Sequence, residues 1–104
     1  MAEMFWAHVD SISVRTLFRG IHLRTLWTSE TGAKAQVLEM EPGSSWQGVD
    51  EHEQGPEEIY VVSGVFNDGV RDYPAGSFIH SPRGTSHVPQ SKTGCRLFLF
   101  YPEG

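Results

Sequence analysis

The stretch Gly76-Ser77-Phe78-Ile79-His80-Ser81-Pro82-Arg83-Gly84-Thr85-Ser86-His87 decides how the chain folds. A strand-length run, Ser77–Ser81, has a glycine before it and a proline–glycine bend after it, with a histidine just beyond the bend. Proline cannot donate to a central ladder, and glycine takes backbone angles that side chains resist. Such punctuation cuts a chain into short strands joined by tight turns.

The same spacing of breakers runs through the rest of the sequence. Leu23–Thr28 and Ala35–Glu41 flank Ser29-Glu30-Thr31-Gly32, and Glu58–Phe66 leads into Asn67-Asp68-Gly69, a strong hairpin signal. Val88–Gln90 and Arg96–Tyr101 flank Ser91-Lys92-Thr93-Gly94 and are expected to pair. Ser11–Leu17 supplies a further strand, and Met4–Val9 a short helical turn. So many hairpins must hide their edges, and closing the sheet into a barrel or jelly roll does so. The expected fold class is therefore all-β, a single domain over 1–104 with its barrel at about 11–102.

Composition narrows the function classes. The 104 residues carry 8 Lys and Arg against 13 Asp and Glu, a net charge of -5, with no basic run. Neither a phosphate backbone nor an anionic membrane is an expected partner. The N-terminus lacks the basic and apolar regions of a secretory signal, and no apolar run reaches membrane-spanning length. One cysteine, Cys95, excludes an internal disulfide and reads as a small core residue in a cytoplasmic protein.

Three residues from two distant stretches carry the expected chemistry: His52, Glu57 and His87. Two neutral imidazoles and a carboxylate facing one cavity suit a single divalent ion, Fe(II), Zn(II) or Mn(II). Asp50 precedes His52 by two residues, points the same way on an extended strand and is the fourth candidate ligand. Glu51 and Glu53 are alternatives if the loop threads differently. His80, on the strand leading to Pro82, is placed at the pocket as a ligand contact, against the plainer reading of a hydrogen-bonded structural histidine. Trp46, in a mouth-side loop, is a candidate small-molecule contact. Trp27, Tyr60, Phe78, Phe98 and Phe100 read as core or dimer packing.

These two stretches resemble the two motifs of the cupin family. Gly76, Pro82, Gly84 and His87 match the second motif in spacing, with Ser91 where an asparagine usually closes it. Glu57 and Gly64 match the end of the first. Its opening departs: the usual His-x-His pair reads Asp50-Glu51-His52, and the run from Gly43 is one residue longer. Over about residues 16–101, through Phe18–Trp27, Glu30–Gly32, Glu41–Gly43, Pro56–Phe66 and Asp72–Gly76, the chain is similar to the ChrR-like cupins.

The resemblance implies a double-stranded β-helix, a bound divalent metal and a homodimer. It also implies two functions. One is a metal-binding cupin that holds or activates a small oxygen-bearing ligand, as Fe-dependent dioxygenases of diketones and aromatic ketones do. The other is a non-enzymatic regulatory module with a structural zinc, like the cupin half of a zinc-dependent anti-sigma factor; a cupin that has lost its metal is the remaining variant. The chain shows no Cys-rich stretch of the kind a sigma-binding zinc domain requires.

Overall fold

Strict alternation builds the sheet. Along Cys95–Tyr101 the inward Cys95, Leu97 and Leu99 are buried, while Arg96, Phe98 and Phe100 lie between them on the outer face. Glu57, Ile59 and Val61 alternate in the same way along the longest strand. The structure, a computed structural model, describes residues 2–104. One 3-10 turn, Val9–Ser11, precedes the strands β1 (Arg15–Phe18), β2 (Ile21–Thr28), β3 (Lys34–Met40), β4 (Ser44–Ser45), β5 (Asp50–Glu51) and β6 (Glu57–Asn67). They are followed by β7 (Asp72–Pro74), β8 (Phe78–Ser81), β9 (Ser86–His87), β10 (Gln90–Ser91) and β11 (Cys95–Tyr101).

All pairings are antiparallel and the sheet curls into a half-barrel. One wall has the order β1-β2-β3-β11-β6, with β8 on the far side of β6. The other is built from β4, β10, the end of β6 and β7. Strand β6 thus serves both walls, and Gly64 is where it turns from one to the other. Its φ is 74°, and a Cβ there would lie 2.0 Å from the Gly94 carbonyl oxygen. The β6–β11 ladder also slips by a residue beside it. Only glycine fits a left-handed corner packed this closely.

The core between the walls is apolar, with Ile21, Leu38, Ile59, Val61, Phe66 and Leu97 each at most 4% exposed. Burying each such side chain contributes about 1.5–3 kcal/mol. Cys95 belongs to this cluster.

Three expectations require correction. The turn near the N-terminus lies at Val9–Ser11 rather than Met4–Val9, and the first strand begins at Arg15 rather than Ser11. The segments around Gln90 and Arg96–Tyr101 do not pair with each other. Instead β10 joins β4 and β6 while β11 joins β3 and β6, so Ser91–Gly94 carries the chain between walls.

Candidate metal centre

A two-stranded ribbon and a turn bring the two motifs together. In β5 and β9, Asp50 lies directly opposite His87, and Glu51 opposite Ser86. The chain then leaves β5, and His52 is held by its backbone: its N–H donates to the Thr85 carbonyl (2.9 Å) and its carbonyl accepts from Gly84 N–H (2.8 Å). The Pro82–Thr85 turn, closed by Thr85 N–H to Pro82 carbonyl at 3.1 Å, is therefore the clamp on His52. Glu57 enters from the first residue of β6 and is 2% exposed. The extra residue after Gly43 is absorbed before β5 and does not disturb this convergence.

Four side chains meet at one point, Asp50, His52, Glu57 and His87, with one ligand-type atom from each lying within 4.8 Å of the others. His52 Nε2 is 3.2 Å from His87 Nε2 and 3.2 Å from Glu57 Oε1. His87 Nε2 is 3.4 Å from Glu57 Oε1 and 3.2 Å from Asp50 Oδ2. Two atoms each about 2.1 Å from a shared ion, at tetrahedral or octahedral angles, stand about 3.0–3.5 Å apart. The spacing therefore fits a coordination shell. Glu57 Oε1 supplies an independent test: it is buried and has no hydrogen-bond partner among the described residues. A buried acceptor without a partner is costly, and a cation would satisfy it. Two imidazoles with two carboxylates and no thiolate suit Fe(II), Mn(II) or Zn(II).

Electrostatics favour the same reading. Burial lowers the His52 pKa, against the pull of Asp50, and so favours the neutral ring a metal needs. Burial pushes Glu57 up to about 7, although the Tyr101 hydrogen bond and the His87 charge draw it down. At His87, burial acts downward but is outweighed by the Asp50 hydrogen bond and the Glu57 charge, so its pKa is raised. A centre of this kind holds protons readily when no cation offsets its carboxylates.

The cluster borders a cavity of about 570 Å³ inside the curled sheet, within the range of small-molecule sites. Trp46 lines it and packs edge-on against Phe18, ring centroids 4.7 Å apart. Phe66 backs the His87 ring at 6.1 Å. Glu51 and Glu53 sit exposed at the rim, outside the four-residue cluster.

His80 corrects the expectation made for it. It stands opposite Glu58 in the β6–β8 ladder, on the outer face, with Nδ1 2.6 Å from Glu58 Oε1 and its side chain 52% exposed. Arg15, Lys34, Gln36 and Tyr101 are among the cavity residues not singled out from sequence. Strand parity was the available signal for Tyr101, since Leu97, Leu99 and Tyr101 share one face of β11.

A half-barrel of antiparallel strands with its ligand cluster beside the internal cavity defines a cupin. The ChrR cupin-like domain profile matches residues 2–103, and the chain belongs to that family. Three solved structures show the same fold. An RmlC-like cupin from Shewanella frigidimarina superposes with a TM-score of 0.83 at 19% identity, covering 98% of this chain and 93% of that one. The anti-sigma factor ChrR of Rhodobacter sphaeroides, seen in complex with SigE, gives 0.75 at 22% identity over 89% of this chain, which spans 50% of ChrR. A proposed acetylacetone dioxygenase from Methylibium petroleiphilum gives 0.82 at 15% identity, over 98% and 78% of the two chains. Among curated proteins, no sequence matches.

Proposed function

We propose that the chain, a single cupin domain over 1–104, binds one divalent ion through His52, Glu57, His87 and Asp50 and uses it to hold or activate a small oxygen-bearing ligand in the adjoining cavity. The observation that carries this reading is the buried, partnerless Glu57 Oε1 facing two imidazole nitrogens beside a ligand-sized cavity. A bound ion would supply Lewis acidity toward a carbonyl or enolate oxygen and, if it is iron, a redox centre for a dioxygenase-type reaction. The residues of the chain do the rest. Tyr101 fixes the Glu57 carboxylate, Phe66 backs His87, and the leucines of β11 keep water from the apolar wall.

Elemental analysis of protein purified without added metal tests the reading. Near-stoichiometric iron, manganese or zinc in the wild type, lost in His87→Ala, supports it; empty protein that stays empty after reconstitution overturns it. Oxygen uptake with small diketones then tests the dioxygenase version.

The likeness to ChrR keeps a second reading, a regulatory module whose zinc is structural and fully ligated by the four side chains. The cavity beside the cluster favours the first, because a purely structural ion needs no such space.

We also infer a homodimer, in the cytoplasm, formed through the outer face of the larger wall. A row of cross-strand neighbours, Phe98, Tyr60 and Phe78, crosses that face, where Phe78 is 66% and Tyr60 46% exposed. The charges around it are paired internally, Arg24 and Arg96 with Glu39 and His80 with Glu58. A second copy would meet apolar surface without unmatched charge. Among the described residues, no helix is long and apolar enough to cross a membrane.

A further inference from the structure

We propose that the ligand of this cavity is a small anion, an oxygen chelator carrying a carboxylate on a short apolar body, and that Lys34 and Arg15 hold the carboxylate. The inference rests on the metal-centred reading above and adds the class of molecule it serves.

The chain is acidic overall, with 8 basic residues against 13 acidic ones, yet two of those bases line the cavity. Among the described residues, neither lies within 4.0 Å of a carboxylate, whereas Arg24 and Arg96 are both paired with Glu39. Lys34 is opposite Tyr101 in the β3–β11 ladder, and its ammonium stands 5.4 Å from the centre of the Tyr101 ring. The hydroxyl of that ring is bonded to Glu57. The cation is thus stationed one side chain away from the ligand cluster.

A cation over a ring face gains a modest attraction but retains its three N–H donors. Those donors are available to a ligand's oxygens. Arg15 lies on the edge strand β1, opposite Leu23, and adds a fork suited to a carboxylate. Gln36, 8% exposed, supplies a further amide on the same wall. Beside this wall the lining includes leucine and isoleucine, Leu38, Ile59, Leu97 and Leu99.

The opposite charges do not cancel this wall. Asp50 and Glu57 would be neutralised by a divalent ion, and Glu51 and Glu53 are exposed at the rim. A ligand seated within would therefore have its metal-binding oxygens at one end and its negative charge at the other. A neutral diketone would use only the first.

Calorimetric titration with 4,6-dioxoheptanoate and with its methyl ester separates the two, because both present the same diketone and differ in charge. Metal-loaded wild type should bind the acid at least about tenfold more tightly than the ester. Lys34→Met should reduce that ratio severalfold with metal content unchanged, and the double variant with Arg15→Met should bring it near one. Equal affinity for acid and ester in the wild type overturns the proposal. So does a preference that survives in the double variant, which would put the carboxylate on the metal instead. Should Lys34→Met fail to fold, the exposed Arg15→Met alone must lower the ratio. Protein that takes up no metal would end the metal-centred reading only. The acid–ester comparison on that protein still decides the cationic wall, by the presence or absence of a preference that the variants remove.

Discussion

The Tyr101 hydroxyl donates to Glu57 Oε2, and the other oxygen of the same carboxylate, Oε1, is thereby turned toward the Nε2 atoms of His52 and His87. Hydrogen bonds that orient a ligand carboxylate commonly contribute 10–100-fold in metal affinity. Tyr101→Phe should therefore weaken metal binding by about that factor while leaving the β-sheet circular dichroism unchanged. Competition against a chelator of known affinity measures it, and an unaltered dissociation constant would remove Tyr101 from the site.

Replacing Glu57 separates stability from function. Its folded pKa of about 7 is above the ordinary 4.5, so the fold favours the protonated form. The stabilisation from this group is complete below pH 4.5 and is lost as pH rises through about 7. Glu57→Gln keeps the shape and an acceptor for Tyr101 without the buried charge. At about pH 8 the metal-free variant should be more stable than metal-free wild type by about 1–3 kcal/mol, several degrees in Tm. Added metal should raise the Tm of the wild type only. Melting curves with and without chelator check both halves; a less stable variant in chelator would contradict the assignment.

Much of this could be read from the sequence, and the limits have physical causes. The turn residues located β2, β3 and β6 because Gly32 and Gly69 do take positive φ, at 97° and 98°. The bend at Pro82–Gly84 was legible from its residues, but the backbone bonds by which it clamps His52 were not. By contrast β4, β5, β7 and β9 are two or three residues long, too short for any alternation to register. His80 was misplaced because its parity depends on pairing with Glu58, which only the folded register fixes. Tyr101 and Lys34 likewise meet only through a long-range ladder, β3–β11.

Metal occupancy should depend on pH in one direction. Uptake requires Glu57 as carboxylate and both imidazoles free, and burial has raised Glu57 to about 7 while Asp50 and Glu57 keep His87 above its usual value. At a fixed, subsaturating metal concentration, occupancy should rise from about pH 5.5 to about pH 8, with more than one proton released per ion near neutrality. Proton release is measured in buffers of different ionisation enthalpy. A flat profile would mean that the titrating groups are not the ligands.

The outer face gives a prediction independent of the metal. Phe78→Glu places a charge on the most exposed member of the aromatic row, opposite Tyr60. Light scattering should show wild type at twice the chain mass and the variant at one, with the melting curve shifted by mass action. A monomeric wild type, or a variant that still dimerises, would exclude this face.

The clamp on His52 has a kinetic corollary. Both backbone bonds that hold this histidine end in the 82–85 turn, so the loop cannot swing away unless the turn lets go as well. Release of a bound ion would then require a small concerted opening of the His52 segment and the 82–85 turn. The exchange lifetimes of the His52 and Gly84 amides should therefore follow the residence time of the ion.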